Sequence, residues 1–254
     1  MTMPSMTAFA LSGVPLVQPG DDLITILKSA LEQSQEQLAD GDILVVSSKI
    51  ISKSENRFVD LRTVEPSPAA IELAQKTNKE PELVEVILQE SKSVSRAAPG
   101  VLVVEHRLGF VSANAGIDHS NIEDSDHRVL LLPLDPDASA AKLRQRIMDE
   151  LGVTVGIIVS DTHGRPFRRG NVGVAIGIAG LPAIVDLRGG VDLFGRVLVA
   201  SIQGYADLIA STAHLLCGEA NEGRPLVVIR GLDVPSGEGL GADMNRDPAS
   251  DLYR

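Results

Sequence analysis

The chain has 254 residues, of which 44% are hydrophobic, 22% charged and 3% aromatic, with no tryptophan. That length suits one large domain or two small ones, with a core made mostly of Val, Ile, Leu and Ala. A net charge of −11 repels phosphate backbones and argues against nucleic-acid binding, yet it leaves room for a single nucleotide whose charge a bound divalent cation offsets.

The opening MTMPSMTAFALSG has no basic region and too short an apolar stretch for a secretory signal. Residues 22–38 carry Leu23, Ile26, Leu27, Ala30, Leu31 and Leu38 at helical spacing, which predicts an amphipathic helix. The turn Asp40-Gly41-Asp42 then leads into ILVVS, residues 43–47, a β-branched run that reads as a buried strand. Ser67-Pro68 has the form of a helix N-cap followed by proline at the first helical position. A second helix is expected over 80–91, and a hairpin over 101–105 and 110–113.

Residues 139–151 read as a helix capped by Ser139 and ended by Gly152. They lead into TVGIIVS, residues 154–160, the clearest strand in the chain. The Gly-rich stretch 170–180 is either a bulged strand or a close-packed backbone segment. Residues 198–216 predict the longest helix, ended by Gly218. Its apolar stretch is interrupted by Gln203, Asp207 and His214, so it reads as buried or amphipathic and not as a membrane span. Cys217 is the single cysteine; it excludes an intrachain disulfide and fits a reducing, cytoplasmic compartment. A last strand is expected over 225–230, followed by a Gly-, Pro-, Asp- and Ser-rich tail. Strands and helices alternate without a regular βαβ order, which favours an α+β class with mixed sheets and packed helices.

Four segments carry candidate chemistry. SDTHGR, residues 160–165, places Asp161 and Thr162 at the end of the best strand, a pairing suited to a hard cation and its phosphate ligand. Arg165, Arg168 and Arg169 follow with guanidinium forks that match phosphate or carboxylate. The plain alternative is an Asx-turn with solvated arginines. NAGIDHSN, residues 114–121, offers Asp118 and Asn121, or is simply a turn. CGEANEG, residues 217–223, offers Glu219 between flexible glycines, or is a helix C-cap. SSKIISK, residues 47–53, supplies Ser48, Lys49 and Lys53 for phosphate oxygens, or a solvated lysine face. Together the three acidic residues, Asp118, Asp161 and Glu219, in separate Gly-containing loops, would give a carboxylate cage for one or two Mg²⁺ or Mn²⁺ ions that arrive with nucleotide phosphates. No P-loop, dinucleotide fingerprint, G-x-S-x-G elbow or zinc spacing is present.

Five ordered blocks resemble the coenzyme F420:L-glutamate ligase family. They are GVPLVQPGDDL (13–23), GDILVVSSKIISK (41–53), NAGIDHSN (114–121), SDTHGRPFRRGNVGVAIGIAG (160–180) and GEANEGRP (218–225). The resemblance runs from about residue 13 to residue 231. It implies a ligase domain over 13–232, an N-terminal extension over 1–12, a tail or linker stub over 233–254, a fold in two subdomains and an intertwined homodimer. The implied reaction adds L-glutamate to the coenzyme F420 precursor, with GTP as phosphoryl donor and an acyl phosphate as intermediate. Asp118 and Asp161 are the implied ligands of one metal, Thr162 and Glu219 those of a second, with potassium assisting and Arg168 beside them as a catalytic group. Nucleotide contacts are implied for Val14, Pro15, Leu16, Val17, Ser48, Lys49, Lys53 and Asn121. The loop Cys217, Gly218, Glu219, Ala220, Asn221, Glu222, Gly223 and Arg224 completes them. Some bacterial members continue into a flavin-binding, nitroreductase-like domain, so a fused or associated partner of that kind is an expectation. Two other readings remain open: a non-catalytic metal- and nucleotide-binding partner of a flavin enzyme, and a γ-glutamyl ligase with a different acceptor.

Overall fold

A continuous apolar run such as ILVVS lacks the polar alternation of a strand with one wet face, so both of its faces must be covered. In the computed structural model, which describes residues 3–251, that run is the middle strand of the largest sheet. The chain begins with β1 (Thr7–Ala10), α1 (Leu23–Gln33), β2 (Ile43–Ser47), α2 (Ser48–Ser54) and β3 (Phe58–Asp60). Next come α3 (Pro68–Thr77), α4 (Pro81–Gln89), β4 (Ser91–Ala98), β5 (Val101–His106), β6 (Val111–Ala113) and β7 (Arg128–Leu130). The last part holds α5 (Pro136–Leu151), the hairpin of β8 (Gly156–Arg165) and β9 (Arg168–Ala179), and β10 (Val185–Asp186). It closes with β11 (Ile202–Gln203), α6 (Tyr205–Cys217) and β12 (Leu226–Arg230).

The main sheet runs β1-β12-β2-β8-β9. Its β2–β8 pair is parallel, with Ile43 opposite Gly156 and Ser47 opposite Ser160, and its other pairs are antiparallel. Period-two alternation sorts the side chains. Leu44, Val46, Ile157 and Val159 face Leu27 and Leu31 of α1 and Leu143 and Ile147 of α5. Val45, Ile158 and Val227 face Ala206, Ile209 and Ala213 of α6. The sheet is therefore a filling between helical layers, and each fully buried Leu or Ile contributes about 2 kcal/mol. A separate cluster of Val84, Ile87, Leu102, Val104 and Val129 surrounds the β4-β5-β6 sheet and the α3–α4 pair. The α+β class is as expected.

Several boundaries differ from the sequence expectation for local reasons. The first helix stops at Gln33 and does not reach residue 38, because Gln35 adopts φ 55° and Glu36 N–H donates back to Leu31 O, a left-handed closure. Leu38 is buried beyond that closure. α5 starts at Pro136 with Asp135 as its N-cap, accepting from Ala138 N–H, and Ser139 lies one turn inside. Its hydroxyl donates instead to Glu55 and to Asp135 O. Segment 198–203 is not helical, so α6 is shorter than α5. Ser91 opens a strand that the sequence reading had placed inside a helix. Stretch 170–180 is largely strand, with a register shift opposite Val159/Ser160, and Ser67 caps α3 through Ala70 N–H as expected. After β12 the chain is mostly irregular but folds back, and Gly241 N–H donates to Asp137 at the start of α5.

Glu90, at the end of α4, ties these parts together. Its carboxylate accepts from Arg57 at 3.1 Å and Arg107 at 3.0 Å, and the same arginines donate to the carbonyls of Leu132, Pro133 and Leu134. Burial alone would raise the Glu90 carboxyl. The His106 ring 3.6 Å away, the Arg107 hydrogen bond and the charges of Arg107 and Arg57 outweigh it and hold the group at about 2. Because the folded value lies below the ordinary 4.5, the stabilisation is complete above that pH and drains away as pH falls toward 2. Replacing Glu90 by Gln should lower unfolding free energy by about 3 kcal/mol at pH 7, and the difference from wild type should shrink below pH 4.5. Urea denaturation of both proteins across that range checks it. A pH-independent difference would contradict this account.

Candidate functional site

The parallel pair sets the site. β2 ends at Ser47 and turns directly into α2, whereas β8 runs on to Arg165. Past Ser160 the edge of β8 no longer pairs with β2, and its side chains alternate to either side of a cleft. Asp161 points toward α2, accepting from Ser48 Oγ at 3.1 Å, and its other oxygen meets His163 Nε2 at 3.0 Å. The His163 ring rests on Phe110 at 4.8 Å, and buried His106 stacks on the far side of Phe110 at 5.0 Å. Thr162 points the opposite way, with its hydroxyl 3.4 Å from His214 Nε2 on α6. The SDTHGR motif is therefore strand, and the Asx-turn reading falls away.

Lys49 and Lys53 are four residues apart and share one face of α2. Lys49 Nζ donates to Ser120 Oγ at 2.9 Å and stands 3.3 Å from Asp118 Oδ2. Lys53 Nζ donates to Asn121 O at 2.6 Å. Burial, with the charge of Lys49 added, lowers the Lys53 ammonium below the ordinary lysine range. Burial raises the Asp118 carboxyl, Lys49 opposes that, and the charge of Asp161 reinforces it. A carboxylate whose ionised form is disfavoured by burial and by a neighbouring negative charge is suited to accept a cation.

The turn that delivers Asp118 is strained. Asn114, Ala115 and Gly116 have φ of 53°, 55° and 66°, and a left-handed alanine costs roughly 1–2 kcal/mol. A Cβ on Gly116 would lie 2.8 Å from Leu132 Cδ1. Such strain persists where surrounding structure fixes it, and here it aims a functional side chain. Across the cleft, Gly218 ends α6 and Glu219 Oε1 lies 3.5 Å from His214 Nδ1. Asn121 Nδ2 donates to Ala220 O at 2.9 Å, joining the two rims. Burial pushes the Cys217 thiol up to about 11, so it is protonated at neutral pH and is no thiolate nucleophile.

These segments enclose a cleft of about 560 Å³. It is lined by Val14, Pro15, Leu16 and Val17, by Ser48, Lys49 and Lys53, and by Asp118, Asn121, Asp161 and Thr162. Cys217, Gly218, Glu219, Ala220, Asn221, Glu222, Gly223 and Arg224 form the opposite lip. Among the candidates, Arg165, Arg168 and Arg169 do not line it, and Arg168 lies exposed at the start of β9 beside Phe167. Ser120, Ser160, Asn171 and His214 also line the cleft; the first three lie inside the quoted motif blocks without a role of their own, and His214 shows in the sequence as a polar break in an apolar helix. Among the described residues, no three His, Cys, Asp or Glu side chains gather into a metal-binding group. The carboxylate cage expected of Asp118, Asp161 and Glu219 is therefore not formed, because the three lie on different walls of the cleft; carboxylates so separated suit a hard cation that keeps water and phosphate ligands. Ser160 Oγ and Asn114 Oδ1 are buried without a partner, among the described residues, in the segments that bear Asp161 and Asp118.

Known proteins match this chain closely. The family model for F420-0:gamma-glutamyl ligase matches residues 13–231. A coenzyme F420:L-glutamate ligase of Methanopyrus kandleri is 42% identical, covering 99% of this chain and 100% of its own. The proteins of the same name from Methanothermobacter thermautotrophicus and Archaeoglobus fulgidus are each 45% identical. They cover 89% and 97% of this chain, and 89% and 95% of their own.

The cleft depends on close approach of α6 to β9. A Cβ on Gly173 would stand 2.3 Å from His214 Cδ2 and 2.6 Å from Ala210 O. Gly173→Ala should therefore push α6 outward and destabilise the fold by about 1–3 kcal/mol. Chemical denaturation measures this, and unchanged stability would show that the contact is not tight.

Proposed function

The chain belongs to the F420-0:gamma-glutamyl ligase family, and from that premise we propose that it joins L-glutamate to the coenzyme F420 precursor at the expense of GTP. The observation that carries the reading is the convergence of five separated segments on one cleft that presents carboxylates, lysines and a flexible lip together. A carboxylate is a poor electrophile, so the precursor's terminal carboxylate first takes the γ-phosphoryl group. The glutamate amine then attacks the acyl phosphate, an amide forms, and phosphate leaves; later rounds form γ-glutamyl bonds.

Lys49 and Lys53 are the groups that hold phosphate oxygens. Lys49 neutralises Asp118 at 3.3 Å and turns to phosphate when that carboxylate takes up a cation, so charge stays balanced throughout. Asp118 and Asp161 would hold one divalent ion and Thr162 and Glu219 a second, Mg²⁺ or Mn²⁺, with K⁺ assisting. When bound, such ions neutralise charge developing on the phosphates. The rims joined by Asn121 and Ala220 shield the acyl phosphate from water. Arg168 lies outside the cleft and has no part in this scheme within one chain.

A second copy of the chain is the proposed partner. Segment 184–203 carries Leu193 and Phe194 at 100% and 96% exposure with Val191, Val197 and Val199 beside them, an apolar arm that a monomer rarely leaves in water. No helix among the described residues is long and apolar enough to cross a membrane.

Incubating the protein with GTP, Mg²⁺, L-glutamate and the deglutamylated precursor should give GDP and a precursor heavier by a glutamyl residue. GTP hydrolysis without that mass gain would contradict the ligase reading, and GTP binding with no turnover above background would favour the non-catalytic one. Asp161→Ala should abolish turnover more completely than Lys53→Ala, and near-normal rates in Asp161→Ala would sink the metal assignment. Phe194→Asp should shift the protein toward monomer in light scattering, whereas an unchanged mass would dismiss the arm as the contact.

A further inference from the structure

A second pocket of about 390 Å³ opens beside the cleft. The two share Leu16, Val17, Lys53 and Asn121 as a common wall. Phe58, Glu123 and Arg128 line the second pocket only, and no sequence motif pointed to them.

Two of the charged groups in this pocket make no ion pair among the described residues. The Arg128 guanidinium lies 4.4 Å from the centre of the Phe58 ring. Among the described residues it makes no side-chain hydrogen bond and no ion pair, although nearly every other arginine deep in this fold has a carboxylate or carbonyl partner. The Glu123 carboxylate likewise has no hydrogen bond or ion pair among the described residues. It acts electrostatically on the Lys53 ammonium, which places it toward the wall shared with the cleft. Glu123 is exposed and Arg128 is half-buried and held by stacking on Phe58, so both charged groups remain open to a ligand.

We propose that this pocket is the binding site for a free α-amino acid, with Arg128 gripping a carboxylate and Glu123 holding the ammonium. The chemistry is complementary on both sides. A guanidinium is a planar fork of donors that matches a carboxylate bidentately, and an ionised carboxylate is an acceptor-only group suited to an ammonium. The orientation also serves the reaction: Glu123, which acts on the shared-wall Lys53, would hold the amine toward the cleft, where the electrophile forms. This inference rests on the ligase reading for the identity of its ligand, L-glutamate, but not for the existence of the site.

The test uses the full chain with Arg128→Gln and Glu123→Gln. In the complete assay, each variant should raise the KM for L-glutamate more than tenfold. The KM for GTP should stay within twofold, which reports an intact fold and an intact cleft. Arg128→Lys should recover part of the loss, since charge remains while the fork is gone. An unchanged glutamate KM in both variants would overturn the proposal, and so would equal losses for glutamate and GTP. Should wild type form no glutamylated product, the ligase reading fails by itself. Saturation-transfer NMR of L-glutamate on wild type and Arg128→Gln then decides the pocket: a signal lost in the variant supports it, and no signal in wild type overturns it.

Discussion

The parallel pairing of β2 with β8 is the constraint on which the site depends. It brings Ser47 and Ser160 side by side and lets one strand stop while its neighbour continues. Everything chemical lies at that step. Ligands in open sheets favour the carboxyl ends of strands because side chains and backbone groups there have no strand above them to satisfy. Here the step also separates Asp161 from Thr162 onto opposite faces, each with its own supporting helix: α2 through Ser48, and α6 through His214. A single antiparallel pair at this place would carry one chain upward and the other downward, and would not align two carboxyl-terminal ends.

The site keeps its charges matched without ligands. Lysines on α2 bond to the 120–121 loop and to Asp118, so a chain of net charge −11 presents ammonium groups at the mouth of an acidic cleft. Burial works against both partners, lowering Lys53 and raising Asp118. Such opposing shifts on neighbouring charged groups are a mark of functional sites. The left-handed Ala115 beside it tells the same story in backbone terms.

Sequence pattern made the strands legible where burial is two-sided and the run is β-branched, as at residues 43–47 and 156–160. It also marked the cap at Ser67, where serine, proline and helix follow a local rule. It failed where local and tertiary signals diverge. Ser139 was read as a cap because it precedes an apolar stripe, whereas Asp135-Pro136 one turn earlier does that work. Residues 198–203 have helical composition, but their apolar side chains stand in solvent on an extended arm. Asp118, Asp161, Thr162, Glu219, Ser48, Lys49 and Lys53 stand out by residue type and line the cleft, whereas Val14–Val17 were implied by the family resemblance alone; Arg165, Arg168 and Arg169 do not line it. Phe58, Glu123 and Arg128 carry no local signature at all. Their meaning comes from a pocket assembled by segments 58 to 128, and periodicity cannot report that two charges remain unpaired.

The central claim is that the step between β2 and β8 seats a cation and a triphosphate together. Crystals grown with Mn²⁺ and a non-hydrolysable GTP analogue give the most direct test through anomalous scattering from manganese. The account predicts a manganese peak in direct coordination with Asp118 and Asp161, with the terminal phosphates between that peak and Lys49 and Lys53. A nucleotide seated outside the cleft, or manganese bound with neither aspartate, would contradict it.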